Sequence, residues 1–351
     1  MLLADMGASV IRIDRPGGAD TGVSLPQKFN LMNRSRSTIR LDLKSTHGVA
    51  KVLRLCAHAD ALFEGFRPGI MERLGLGPEE CMAVNARLVY GRVTGWGQQG
   101  SLATAAGHDG NFAAISGALS AIGAKDGPPV VPLNLVADFG GGGAYLAIGL
   151  LAALLEAQRS GQGQVVDAAM VDGAASQMTL FYGLHAAGMW KDERGSNFLD
   201  GAAPFYRPYR TQDDKYIMIC AIEPRFFAEL LQVTGVQDIV PFEQFNEAKW
   251  TAHIRTFEEV FATKSRQQWT DAFAGTDACY APVLSLAEAP SHPHNKERDT
   301  FVEIDGVVQP APAPRFSRTP SAVRCSAGAS QNELRDMLSD WGLSDADIDA
   351  I

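Results

Sequence analysis

Short apolar runs separated by amphipathic stretches set the rhythm of the first hundred residues. Val10–Asp14, Thr38–Leu43, Ala61–Glu64 and Leu88–Thr94 read as strands, and the segments between them carry helical spacing, as parallel sheets with crossover helices do. Ser45 stands where a hydroxyl caps a helix running to about His58. Pro78 stands where a first helical turn tolerates a missing N–H. The opening MLLADMGA reads as a helix end stopped by Gly7 with no strand before it, so the alternation begins late.

From Gly107 the spacing turns helical, over His108–Ile122 and then Phe139–Gln158, up to the turn Ser160 to Gly163. Gln164–Met170 follows as a strand and Val171–Met189 as a helix, after which residues 190–205 are polar and aperiodic, as linkers are. A second domain then shows a strand over Lys215–Ala221, helical material to about Phe273 and a Pro-rich passage ending in QPAPAPRFSRTP, suited to an extended return. Ser330 to Glu333 has the capping-box pattern before a helix that stops near Gly342, predicted to pack back on the first domain. The expected class is α/β, with a large domain over 1–190, a smaller α+β domain over 206–301 and a C-terminal return over 315–351.

Composition narrows the functions. The 351 residues are 46% hydrophobic and 20% charged, which excludes disordered and fibrous classes. A net charge of -9 argues against a nucleic-acid partner, so any phosphate site must be local. Ala144–Leu155, the longest nearly apolar stretch, falls short of the roughly 20 residues a bilayer needs and reads as a buried helix rather than a membrane span. The N-terminus has neither a basic region nor a cleavage pattern, which predicts a cytoplasmic protein. Five scattered cysteines without a CxxC pair predict reduced thiols, and His292 and His294 in a Pro-broken loop read as a solvated turn, so no metal is expected.

Phosphate-loop, serine-elbow, zinc-protease and dinucleotide signatures are all absent. Three acid/base candidates remain. His108 opens a helix, where the dipole keeps an imidazole neutral and basic; taken alone it reads sooner as a capping or buried structural histidine. Asp138 reads as the N-cap of a strongly apolar helix and is followed by Gly140 to Gly143. Each such glycine costs about 1 kcal/mol against alanine, so close approach of a ligand or another backbone is implied. Glu223 sits past a strand and before Pro224, where, taken alone, it reads sooner as a surface glutamate at a turn. Arg12, Arg15, Lys44, Arg67 and Arg73 fall near successive strand ends, where α/β sheets bind ligands and a local phosphate site can form.

Taken together, IRIDRP, RLDLKS, EGFRPG, RLGLG, GRVTGWGQ, AGHD, NLVADFGGG and AIEP closely resemble the family III CoA-transferase (CaiB/BaiF) superfamily, through nearly all of the chain. The resemblance implies a Rossmann-like CoA-binding large domain completed by the C-terminal segment, a small domain, and two subunits interlocked as a homodimer. It implies that Asp138 is the superfamily's catalytic carboxylate, that His108 marks its racemase branch, and that Glu223 partners that histidine. It further implies CoA contacts from Arg15, from Leu41, Asp42, Leu43 and Lys44, from Gly65, Phe66 and Arg67, from Arg73, and from Gly107, Asp109, Gly110, Asn111 and Phe112. Family members carry a strand and a Gly/Pro loop before the segment matching MLLADMGA, so the expectation is a start assigned too late.

The implied activity is interconversion of (R)- and (S)-2-methylacyl-CoA thioesters by 1,1-proton transfer through an enolate, in lipid breakdown. No cofactor is needed, because CoA belongs to the substrate. His108 and Asp138 would act on opposite faces of C-2, Glu223 would orient His108, and N–H groups near Asp109 and Gly140 would hold the enolate oxygen. Met170, Met178, Phe181 and Met189 are candidates for the acyl surface. The alternatives are CoA transfer between carboxylates through Asp138, and CoA binding without turnover.

Overall fold

The computed structural model describes residues 1–17, 25–325, 331–349 and 351. They form two compact units that alternate along the chain. Unit 1 takes Met1–His108, Ala137–Gly173 and Ala287–Ile351, and unit 2 takes Asp109–Val136 and Ala174–Leu286.

Unit 1 opens with the one-turn helix α1 (Leu2–Asp5), and β1 (Ile11–Asp14) pairs in parallel with β2 (Ser37–Arg40). The Ser45 hydroxyl accepts the Gly48 N–H at 3.0 Å and starts α2 (Thr46–His58), whose buried stripe includes Val52, Leu55 and Cys56. β3 (Ala61–Glu64) leads into α3 (Ile70–Arg73), and Pro78 opens α4 (Pro78–Val84). β4 (Val89–Thr94) then lies parallel to β3 and to β5 (Val165–Ala169). Between β4 and β5 the chain gives α5 (Asp109–Ile115) and α6 (Ala118–Ala121) to unit 2, then returns through a π-helical segment, Leu135–Ala144, that continues into α7 (Tyr145–Ser160).

Gly91 lets α7 settle on β4, because a Cβ there would stand 2.9 Å from both the Leu146 and Leu150 side chains. The stripe facing the strands, Leu146, Leu150, Ala153 and Ala157, is buried. Ile148, Leu151 and Leu155 on another face are 63%, 45% and 59% exposed. The expectation of a fully buried helix is therefore corrected: the apolar surface is wider than the sheet it covers. By length and composition alone Leu135–Ser160 is apolar enough to cross a membrane: its most apolar stretch has a mean hydropathy of 1.5, and 33% of that stretch is buried.

After α8 (Met170–Gln177) and α9 (Thr179–Ala186), unit 2 builds an antiparallel sheet. β6 (Tyr206–Arg210) pairs with β7 (Tyr216–Cys220), which pairs with β8 (Tyr280–Pro282). Against it pack α10 (Pro224–Thr234), α11 (Glu247–Phe261) and α12 (Arg266–Ala272), around an aromatic core of Phe205, Tyr209, Phe227, Phe257, Phe261 and Trp269.

Back in unit 1, α13 (Pro293–Glu297) precedes the hairpin β9 (Phe301–Ile304) and β10 (Val307–Pro310), which takes the start of the Pro-rich passage. α14 (Gln331–Asp340) and α15 (Asp345–Asp349) end the chain, and Leu338 and Leu343 are buried in one cluster with Val52, Leu55, Leu76 and Tyr90. The C-terminal segment thus completes the core of unit 1. The capping serine expected at Ser330 lies outside the described residues.

Candidate active site

Four cations of unit 1 follow the C-terminal ends of parallel strands and are exposed: Arg15 after β1, Lys44 after β2, Arg67 after β3, and Arg73 on α3. Arg12 is held differently. Its Nε donates to Asp14 Oδ1 at 2.9 Å and its Nη1 to Asn33 Oδ1 at 2.6 Å, which braces β1.

The turn carrying Lys44 is built by its own residues. Leu41 is buried in the core and its N–H donates to Asp14 O at 2.9 Å. Asp42 Oδ1 accepts the Lys44 N–H at 3.0 Å, and Ser45 Oγ donates to Asp42 O at 2.8 Å. Leu43 packs against the same core, half-buried. In the next turn Glu64 Oε2 accepts the Phe66 N–H at 2.6 Å, leaving Gly65, Phe66 and Arg67 exposed. Exposed cations on fixed turns at strand ends suit a ligand carrying several phosphates.

His108 closes the first stretch of unit 1, exposed, immediately before α5. Asp109 and Phe112 are buried in unit 2, with Gly110 half-buried and Asn111 exposed beside them. Gly107, like His108, belongs to unit 1. Asp138 also belongs to unit 1 and is half-buried.

One correction concerns its helix. Asp138 is not an N-cap but the fourth residue of the π-helical segment, and Gly140 lies inside that segment. Wide π turns are rare and gather at functional sites, because they displace side chains from the faces a regular helix would present.

Close contacts with the start of α8 surround the glycine run. A Cβ on Gly173 would stand 1.9 Å from Gly141 O, so the start of α8 meets the π-helical backbone directly. A Cβ on Gly142 would stand 2.8 Å from Met170 Cγ. Gly173→Ala is expected to destabilise the fold by about 3 kcal/mol through overpacking. A urea midpoint unchanged from that of the unsubstituted chain would remove this account of the contact.

Glu223 stands in unit 2, exposed, as the N-cap residue of α10, and its side chain makes no capping bond. It acts on its surroundings by charge: burial first, and then the Glu223 carboxylate, push the Cys279 thiol up. His108 and Asp138 therefore share one unit and Glu223 belongs to the other.

Unit 2 also holds a cavity of ≈ 280 Å³ whose walls include Met178, Phe181, Tyr182, His185 and Trp190. Phe181 and Trp190 meet edge to face at 4.9 Å. Met178 and Phe181 of the expected acyl surface thus share a cavity wall, whereas Met189 is 65% exposed and Met170 belongs to unit 1. Among the described residues no group of three or more His, Cys, Asp or Glu is placed to hold a metal ion.

Sequence reasoning passed over Arg92. The signal was present, an arginine inside the apolar strand VYGRVT, but its partners, Glu64, Glu72 and Gln98, are brought to it only by the fold.

Comparisons with known proteins show the family of the chain. The model of CoA-transferase family III matches residues 1–329. An alpha-methylacyl-CoA racemase of Mus musculus is 43% identical over 351 residues, covering 99% of this chain and 90% of that one. Its Homo sapiens namesake is 42% identical over 322 residues, 92% and 82% of the two chains. The crystal structure of Rv3272 from M. tuberculosis superposes with a TM-score of 0.77 at 26% identity, over 94% of this chain and 91% of that one.

Proposed function

The chain belongs to CoA-transferase family III, and from that premise we propose that it is a racemase interconverting (R)- and (S)-2-methylacyl-CoA thioesters. The observation that carries the reading is 43% identity to an alpha-methylacyl-CoA racemase over 99% of the chain. A histidine at position 108, where the resemblance places the mark of the racemase branch, supports it.

The chemistry asked of the site is modest in kind and demanding in placement. A proton α to a thioester carbonyl is weakly acidic, because its loss makes an enolate whose charge must be stabilised where it develops. One base removes the C-2 proton, the electron pair moves into the enolate, and an acid on the opposite face returns a proton to C-2. His108 and Asp138 take these two roles and exchange them with the hand of the substrate. The resemblance gives Glu223 the part of the carboxylate that partners this histidine. CoA is held by the exposed cations Arg15, Lys44, Arg67 and Arg73 together with the turns Leu41–Lys44 and Gly65–Arg67 and the Gly107–Phe112 loop, and the acyl chain lies on the Met178 and Phe181 surface.

The working form is an interlocked homodimer, a reading supported by the exposed apolar face of α7 at Ile148, Leu151 and Leu155. A cytoplasmic location is supported by five cysteines that are all free thiols.

The test is incubation of each 2-methylacyl-CoA enantiomer in deuterium oxide, following both deuterium at C-2 and configuration. Exchange with loss of configuration is the expected result. No exchange, with CoA passing to an added carboxylate, selects the transferase instead, and CoA binding with neither reaction selects a protein without turnover.

A further inference from the structure

Three charged residues stand in register across three parallel strands, the first of them at the C-terminal end of β3. Glu64 of β3 faces Arg92 of β4, which faces Asp167 of β5. Arg92 is 8% exposed, and a guanidinium in that setting is costly unless its donors are used.

Two of its three nitrogens donate hydrogen bonds, to separate segments, and Nε has only the charge of Glu64 near it. Nε faces Glu64 Oε1 at 3.6 Å, Nη1 donates to Gln98 Oε1 at 2.8 Å, and Nη2 pairs with the Glu72 carboxylate. The guanidinium also stands 5.4 Å from the Tyr90 ring centre. The bracing continues one step outward on each side. Glu64 Oε2 accepts the Phe66 N–H at 2.6 Å, and Asp167 Oδ2 accepts the Gln98 N–H at 3.2 Å.

A single buried cation thus governs where the Gly65–Arg67 turn leaves β3 and how α3, with Glu72 beside Arg73, is set against β4. Charge follows the same pattern: the Arg92 hydrogen bond holds the Glu72 carboxyl below the ordinary carboxylate range, while burial pushes that of Glu64 up.

We infer that Arg92 is a positioning residue for CoA binding, acting through Glu64 and Glu72 to pre-set the turn and helix that present Arg67 and Arg73 to the CoA phosphates. Arg92 itself does not touch the substrate. The inference rests on the proposed CoA contacts of Arg67 and Arg73. Lysine cannot replace Arg92, because a point charge on a flexible stem cannot serve three partners in one plane.

The experiment compares 2-methylacyl-CoA with the same acyl thioester of pantetheine, which lacks the phosphates. In Arg92→Lys and in Glu72→Gln, whose site is exposed and tolerant of exchange, KM for the CoA substrate is expected to rise about ten- to a hundredfold, the worth of hydrogen bonds to charged groups. Turnover with CoA and kcat/KM with pantetheine are expected to stay near those of the unsubstituted chain. Equal losses on both substrates, or no change in KM for CoA in Glu72→Gln, would overturn the inference. Arg67→Ala separates the two readings. If it leaves CoA affinity untouched, the proposed CoA site is wrong; if it weakens CoA while Arg92→Lys and Glu72→Gln do not, only the positioning role fails.

Discussion

Asp138→Asn is expected to slow racemisation on the order of a thousandfold, the range of a lost general acid/base. Asparagine keeps the shape of the side chain and so preserves the π-helical segment, but it can neither take nor return a proton at this site. The loss should not be symmetrical. The enantiomer whose C-2 proton faces His108 still loses it to the imidazole, and the enolate is reprotonated on the same face, so deuterium enters with retention. The other enantiomer has no base on its proton's side and stays unlabelled. His108→Gln is expected to give the mirror result. Proton NMR of the C-2 signal, with chiral separation of the hydrolysed acids, reads both. If Asp138→Asn silenced both enantiomers equally while His108→Gln silenced neither, the two-base mechanism would give way to chemistry centred on Asp138 alone, as CoA transfer requires.

The second large effect concerns folding. Asp5→Asn is expected to cost about 3–5 kcal/mol, because removing one partner of a buried ion pair strands the other. The Asp5 and Arg34 side chains are 1% and 3% exposed. Arg34 Nη2 donates to Asp5 Oδ2 at 2.7 Å, and its Nη1 reaches Gln309 Oε1 at 2.8 Å and Pro310 O at 2.7 Å. The C-terminal return crosses the same place: Ala322 N–H donates to Asp5 O at 3.0 Å, and Arg324 N–H to Ser35 Oγ at 3.0 Å. The midpoint of urea unfolding measures the cost. The pair Asp5→Leu with Arg34→Met is expected to recover much of it, since most of the damage is an uncompensated charge rather than a lost attraction. A single variant within about 1 kcal/mol of the unsubstituted chain would place the clasp among ordinary surface pairs.

What could be read from the chain was what local rules govern. β3 falls on the bounds its apolar run predicts, and Ser45 caps α2 because a hydroxyl before an amphipathic stretch has few better uses. Other features were hidden. β6 contains Pro208, which argues against a strand unless it lies at an edge, and β6 pairs only with β7. The β9–β10 hairpin announces itself with Asp305-Gly306, both at positive φ, but the surrounding prolines drew the reading towards an extended passage. The π-helical register of Asp138 cannot come from a 3.6-residue periodicity. The glycine run beside it raised the question of a close approach, and the contacts that bear on it, Met170 against Gly142 and Gly173 against the Gly141 carbonyl, come from the start of α8. Likewise an arginine in a strand was visible at position 92, while Glu72 and Gln98 became its partners only through the crossing of β4.

The alternation of the two units along the chain has a consequence for synthesis. The polypeptide passes between them four times, at 108/109, 136/137, 173/174 and 286/287, so no single cut releases either one intact. A ribosome delivers α2, β3 and β4 early, yet Leu338 and Leu343, which share their core, emerge only after the whole of unit 2. Until then Val52, Leu55 and Leu76 wait partly uncovered. Nascent chains stalled before Leu334 should accordingly bind holdase chaperones and be cut readily by protease, and emergence of α14 and α15 should end both together.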